Sequence, residues 1–247
     1  MASIAPVWEE IAGTLAPRGD SEEGVLPPLM ILLTVVTGIV DAVAFLKLGH
    51  VFVANMTGNV VFLGFAAAGA KGLSVAGSLL ALASFLPGGI AASRLAGRLG
   101  DNRLHQLRAA TAGQTVLCAA AIPVAAVAGH HLGAASRYTL IALLALAMGV
   151  QNATARRLAV ADLTTTVLTL TLTGIAADSR LGGGSGAKTA RRVLSVAAML
   201  VGAIVGAVLL LQVAPVAPIA LVVGILAVVS VAAYRASRRE QPETHPQ

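Results

Sequence analysis

Long apolar stretches, separated by short polar or basic connections, make up most of this chain. Eight apolar segments can be distinguished, at 28–48, 51–70, 73–93, 107–128, 138–155, 161–177, 193–213 and 215–234. A helix that crosses a bilayer needs about 20 mainly apolar residues. The second and sixth segments each begin with a polar cluster, which shortens their apolar part. The pattern predicts an all-α membrane protein with about six transmembrane helices plus two short re-entrant or half-helix segments.

The basic residues between the segments favour this topology. If all eight segments crossed the membrane, ten of the 17 Lys and Arg residues would lie on one side and seven on the other. If the second and sixth segments enter and return, 14 lie on one side, and only Lys47, Lys71 and Arg137 lie on the other. Cytoplasmic loops carry an excess of basic residues, so we expect the second arrangement, with both termini in the cytoplasm.

Two parts of the chain resemble each other. The heptapeptide GIVDAVA at 38–44 matches GVQNATA at 149–155 with an offset of 111 residues, and NMTGN at 55–59 matches DLTTT at 162–166 with an offset of 107. Each unit then contains three crossings, an odd number, so the second unit would be inverted relative to the first. Inverted repeats with broken helices are typical of small-solute transporters and channels.

The expected domain organisation follows from this reading. It consists of a polar N-terminal cytoplasmic segment at 1–27, one transmembrane domain at 28–235 and a cytoplasmic tail at 236–247. The domain divides into repeats at 28–130 and 135–235. Glycine pairs such as Gly202 and Gly206 are expected to allow close helix packing, and their faces would also permit a homodimer.

Asp41 is the strongest candidate for a functional residue, because it lies well inside the first apolar segment. A carboxylate at membrane depth is costly and should face the bundle interior, where it could carry a proton or bridge two helices. Asn55 or Thr57 could cap a short helix whose free N–H groups attract an anion, while Gly58 allows close approach. The complete set of candidate binding or coupling residues is Asp41, Asn55, Thr57, Gly58, Asn59, Gln151, Asn152, Asp162, Thr164, Thr165 and Thr166.

Composition argues against several classes of protein. The chain is 57% hydrophobic and 11% charged, and its net charge of +6 comes from basic residues between apolar runs, not from a basic stripe, so no nucleic-acid partner is expected. One cysteine and five scattered histidines offer no recognisable metal-ligand spacing, and no cofactor is expected. No nucleophile–base pair is evident, so we do not expect an enzyme.

Two stretches resemble a known family. These are TGIVDAVAFLKLGHVFVANMTGNVVFLG, from Thr37 to Gly64, and MGVQNATARRLAVADLTTTVLTLTLTG, from Met148 to Gly174. Both are similar to the characteristic blocks of the YoaK family of bacterial membrane proteins. The resemblance extends from about residue 28 to 234. It implies a multi-pass protein of the bacterial inner membrane and no particular activity.

Three functions remain open. The first is a small secondary transporter of a small polar or anionic solute. Its transport could be coupled to protons carried by Asp41. The second is a passive channel, and the third is a membrane scaffold or accessory protein whose polar residues hold helices together.

Overall fold

A computed structural model describes residues 11–16, 24–129, 131–160, 163, 168–178 and 189–239. Within these ranges a helical turn at 11–15 is followed by eight helices, and no strand occurs. The helices are α1 (Leu26–Lys47), α2 (Met56–Ala67), α3 (Val75–Leu99), α4 (Arg103–Ala128), α5 (Ala134–Leu158), α6 (Leu168–Ala177), α7 (Thr189–Val208, continued by the π-helical segment Leu209–Val213) and α8 (Ala217–Arg239).

Six of these helices are long and apolar enough to cross a membrane. The other two are α2, with 12 residues, and α6, with 10 described residues. At 1.5 Å per residue, α2 measures about 18 Å and the described part of α6 about 15 Å, both less than a hydrocarbon core of about 30 Å. The predicted fold class, an all-α membrane protein with six long helices and two short ones, is confirmed.

Two helices extend beyond the predicted apolar segments at the connection between them. α3 continues to Leu99 through Arg94 and Arg98, and α4 already begins at Arg103, where the Asn102 side chain accepts the His105 N–H at 2.9 Å. Hydropathy detects only the part of a helix that lies in hydrocarbon. A hydropathy pattern therefore does not reveal the polar turns that extend a helix into the headgroup region.

The two central helices are α1 and α5. In the apolar windows of α1 and α5, 72% and 61% of the residues are buried, against 28% in α3 and α7 and 33% in α4 and α8. Exposed large apolar side chains occur on all four outer helices, as expected of surfaces that face lipid.

The tightest packing joins α1 to α7 and α3 to α5. Glycines bring the backbones so close that an added Cβ would overlap a carbonyl oxygen of the facing helix. Four such contacts occur: Gly38 with Met199, Gly202 with Val35, Gly149 with Phe85, and Gly88 with Leu146. Gly202 and Gly206 thus have the packing role that the sequence predicts, and Gly88 has the same role in α3.

Candidate functional site

The carboxylate of Asp41 binds the chain that leads into α2. Its Oδ1 accepts the N–H groups of Val53 and Ala54, each at 2.9 Å, and its Oδ2 accepts the side-chain amide of Asn55. Asp41 lies six residues before the end of α1 and is buried. A buried charge is tolerated only when hydrogen bonds compensate it, and here three N–H groups do so. Asp41 therefore fixes the position where the chain turns back toward the bundle.

Asn59 provides a second attachment for the same segment. Its Oδ1 accepts the Phe52 N–H at 2.8 Å, and its Nδ2 donates to the Phe52 carbonyl at 2.6 Å. Residues 51–55 are consequently non-helical, because their polar groups bind side chains of α1 and α2. This is why α2 begins at Met56 and not at residue 51, where the apolar segment starts.

Asn55 and Thr57 differ from the expectation for a helix cap. Asn55 does occupy the N-cap position of α2, but its side chain makes no capping hydrogen bond and donates to Asp41 instead. Thr57 is exposed. Gly58 lies against the Phe52 ring, and an added Cβ would collide with it. The structure thus joins Asp41 to Asn55 and places Asn59 on the same segment through Phe52, whereas the proposed capping role of Asn55 is wrong.

A cavity of about 260 Å³ lies beside the Asp41 carboxylate. Its walls come from α1, α7 and the segment before α2, and they are Gly38, Asp41, Ala42, Phe45, Leu46, Phe52, Asn55, Met199 and Ala203. The Phe45 and Phe52 rings stack with centroids 5.3 Å apart, and Phe62 extends the stack from α2. The cavity is thus an apolar chamber with a carboxylate and an amide as its polar groups, a composition usual for small-molecule sites.

In the second half, Gln151 and Asn152 point to different partners. Gln151 Nε2 donates to the Leu33 carbonyl at 3.0 Å and to Thr37 Oγ1 at 2.8 Å, so it binds α5 to α1. Asn152 Nδ2 donates to the Met148 carbonyl of its own helix at 2.9 Å. The predicted residues Asp162, Thr164, Thr165 and Thr166 lie outside the described residues.

A buried amide cluster near the middle of the bundle was only partly predicted. Gln114 Nε2 donates to Gln151 Oε1 at 2.7 Å, which joins α4 to α5 as expected for a lone amide in a membrane helix. Thr37, the twelfth of the 22 residues of α1, completes the cluster but was not among the candidates. Gln114 Oε1 is buried without a hydrogen-bond partner. The sequence does contain a signal for this cluster, because Thr37 and Gln114 are isolated polar residues near the centres of α1 and α4.

Comparisons with known proteins agree with this description. A family model described as "Protein of unknown function (DUF1275)" matches residues 29–232. The UPF0700 transmembrane protein YoaK of Bacillus subtilis (strain 168) is 37% identical over 150 residues, which cover 61% of this chain and 65% of that protein. No solved structure matches. The resemblance to the YoaK family is thereby confirmed, and the chain, a multi-pass membrane protein, belongs to the DUF1275 family.

Proposed function

We propose that this protein is a small secondary transporter of the bacterial inner membrane, with both termini in the cytoplasm. It moves a small polar solute through alternating exposure of a site between two inverted halves. The observation that carries the proposal is the symmetry of the contacts between the two halves, in which α1 packs against α7 as α5 packs against α3.

The glycine contacts supply this correspondence. The residues that make these contacts are paired by a constant offset. Between α1 and α5 the offset is 111 residues, which pairs Gly38 with Gly149 and Val35 with Leu146. Between α3 and α7 it is 114 residues, which pairs Phe85 with Met199 and Gly88 with Gly202. The contacts of Gly38 with Met199 and Gly202 with Val35 thus recur as Gly149 with Phe85 and Gly88 with Leu146. Matched burial of α3 with α7 and of α4 with α8 also supports a twofold internal repeat. Three long helices in each half make that repeat inverted.

The Asp41 cavity supports the solute class. A carboxylate and an amide inside apolar walls favour a small solute that carries hydrogen-bond donors, such as an amine or hydroxyl group. An anionic solute fits this cavity poorly, because the nearby N–H groups of Val53 and Ala54 are already bonded to Asp41.

Asp41 also offers a route for proton coupling. A proton on Oδ2 would make this atom a hydrogen-bond donor, so the Asn55 side chain would have to turn its amide oxygen toward it to keep the contact. Asn59 would still hold Phe52 during this change. Protonation would thereby reorient the Asn55 side chain at one end of the segment before α2, next to the cavity.

A proton-flux assay tests the transport proposal. Purified protein is reconstituted in liposomes that contain pyranine, and a panel of small amines, neutral amino acids, sugars and carboxylates is added outside. We expect at least one donor-bearing solute to acidify the lumen with the wild type and not with Asp41→Asn or empty liposomes. Equal acidification by Asp41→Asn would remove the proton role, and solute flux without proton movement would indicate a passive channel.

Cysteine accessibility tests the opposite orientation of the two matched cavities without a known substrate. Cys118 is the one cysteine of the chain, so Cys118→Ala gives a background for Ala42→Cys in the cavity and Ala153→Cys at the matched position in α5. We expect each introduced thiol to react with an impermeant maleimide from one side, and the two sides to be opposite.

A scaffold function is the second candidate, and one observation favours it. Three donors already engage the Asp41 carboxylate, as would suit a purely structural link between α1 and the segment before α2. Under this alternative, Asp41→Asn lowers thermal stability and neither cavity cysteine is labelled from either side.

A further inference from the structure

A cleft between α3 and α5 gathers three arginines at one end of the bundle. Its volume is about 650 Å³, and its lining includes Gly89, Ile90, Ser93, Arg94, Arg156 and Arg157. At its base α3 and α5 approach closely: a Cβ on Gly89 would lie in ordinary contact with that of Ala153, at 3.8 Å, and with the Gly149 carbonyl oxygen, at 3.7 Å. We refer to it as the arginine cleft.

The three arginines have no acidic partner within the part of the chain that the structure describes. Two basic neighbours are engaged: Arg103 donates to the Leu158 carbonyl, and Arg108 lies over the Tyr234 ring, 4.7 Å from its centroid. Arginine guanidinium groups bind phosphate oxygens in a bidentate manner. The arginine cleft therefore presents three guanidinium groups that are suited to a phosphate group.

The flank of the cleft is apolar and faces the surrounding lipid. Leu86 and Ile90 line it and are 63% and 52% exposed on the outer surface of α3. A ligand with acyl chains could lie along these side chains while its headgroup reaches the arginines. A free phosphate ion would use only the polar end.

We propose that the arginine cleft binds the headgroup of an anionic phospholipid from the bilayer leaflet at that end of the bundle. Basic pockets between transmembrane helices are suited to such headgroups. The ligand class follows from the combination of a three-arginine end, a headgroup-sized space and a lipid-facing apolar wall.

The matched cavity in the first half shows that the charge is specific to one end. Arg156 and Arg157 correspond, at an offset of 111 residues, to Phe45 and Leu46, which line the Asp41 cavity. Both cavities arise at equivalent helix crossings, but only the arginine cleft has guanidinium groups among its lining residues. Lipid selectivity is therefore expected at this crossing alone.

Native mass spectrometry of the detergent-purified full chain tests the proposal. Phosphatidylglycerol and phosphatidylcholine with identical acyl chains are titrated separately, and bound lipid is counted. The triple variant Arg94→Gln, Arg156→Gln and Arg157→Gln is compared with Arg98→Gln, Arg235→Gln and Arg239→Gln, which removes the same charge outside the cleft. A third variant, Ser93→Trp, obstructs the cleft at an exposed position and keeps every charge.

We expect the wild type to bind one phosphatidylglycerol at least tenfold more tightly than phosphatidylcholine. The cleft triple variant and Ser93→Trp should lose this preference, and the matched triple variant should retain it. Equal binding of both lipids, or equal losses in the two triple variants, would overturn the proposal. Displacement of the lipid by equimolar inorganic phosphate or glycerol 3-phosphate would assign the cleft to a free phosphate compound and overturn the lipid proposal too.

Discussion

The side chain of Asn59 forms hydrogen bonds with both the N–H and the carbonyl of Phe52, at 2.8 and 2.6 Å. An amide is well suited to this task, because it carries a donor and an acceptor side by side. In a membrane, where water cannot replace lost bonds, this pair lets non-helical backbone persist beside α1.

Asn59→Ala should therefore destabilise the protein. It leaves two backbone groups of Phe52 without their partner, at a cost of about 1–3 kcal/mol for each. Thermal unfolding in detergent measures the effect, and Thr57→Ala on the exposed side of α2 is the control, with an expected change below about 0.5 kcal/mol. Equal midpoints for the two variants would show that Phe52 finds other partners.

Substitutions of Asp41 should separate its structural and coupling roles. Asp41→Asn keeps an oxygen acceptor for the N–H groups of Val53 and Ala54, and Asn55 can rotate its amide to suit. Asp41→Ala leaves both N–H groups without that acceptor, at about 1–3 kcal/mol for each. We expect Asp41→Ala to unfold at the lower temperature, while both variants lose proton flux. Equal stability of the two variants would remove the structural role.

Glycine substitutions test the helix packing. Gly88→Ala places a methyl group against the Leu146 carbonyl, and such overpacking costs about 1–3 kcal/mol or more. Gly97, in the same helix, has no atom within 4 Å of an added Cβ, so Gly97→Ala should be neutral or stabilising by up to about 1 kcal/mol. Fluorescence-detected size-exclusion chromatography after graded heating distinguishes the two. A stable Gly88→Ala variant would contradict the described contact.

The buried amides can be examined by a double-mutant cycle. Gln151→Leu removes the hydrogen bonds to Leu33, Thr37 and Gln114, whereas Gln114→Leu removes only the last of these. The first variant should be the less stable, and the coupling between the two sites should be about 0.6 kcal/mol, with about 1.7 as the upper end for membrane proteins. Additive effects would mean that the amides do not interact.

Topology is checked by impermeant thiol labelling in the Cys118→Ala background. Lys71→Cys, between α2 and α3, should react in intact cells. Arg238→Cys, near the end of α8, should react only after permeabilisation. Labelling of both from the same side would contradict the inverted arrangement of the halves.

The sequence predicted the helices well because lipid imposes a simple rule on them. A segment such as α1 must be both apolar and about 20 residues long, and both properties are visible locally. The candidate site was harder. Asp41 and Asn55 could be grouped through their repeat pattern, but the main partners of Asp41 are backbone N–H groups, and any residue type provides those.

The amide cluster illustrates the same limit. Gln114 and Gln151 are separated by 37 residues on different helices, and their hydrogen bond depends on the rotation of α4 about its axis against α5. This rotation is determined by close packing of small residues around the whole bundle. No single segment of the sequence determines this rotation.

The central position of α1 has a consequence for biogenesis. α1 leaves the ribosome well before α7, and the glycine face that it buries against α7 stays without that partner until residues 189–208 are made. At about 5–20 residues per second, the interval of 142 residues between Lys47 and Thr189 takes roughly 7 to 28 seconds. Throughout this time a helix with an acidic residue stays in the membrane without its main partner. Its retention there, by the insertion machinery or by the Asp41-bound segment that follows it, is therefore a step on which assembly depends.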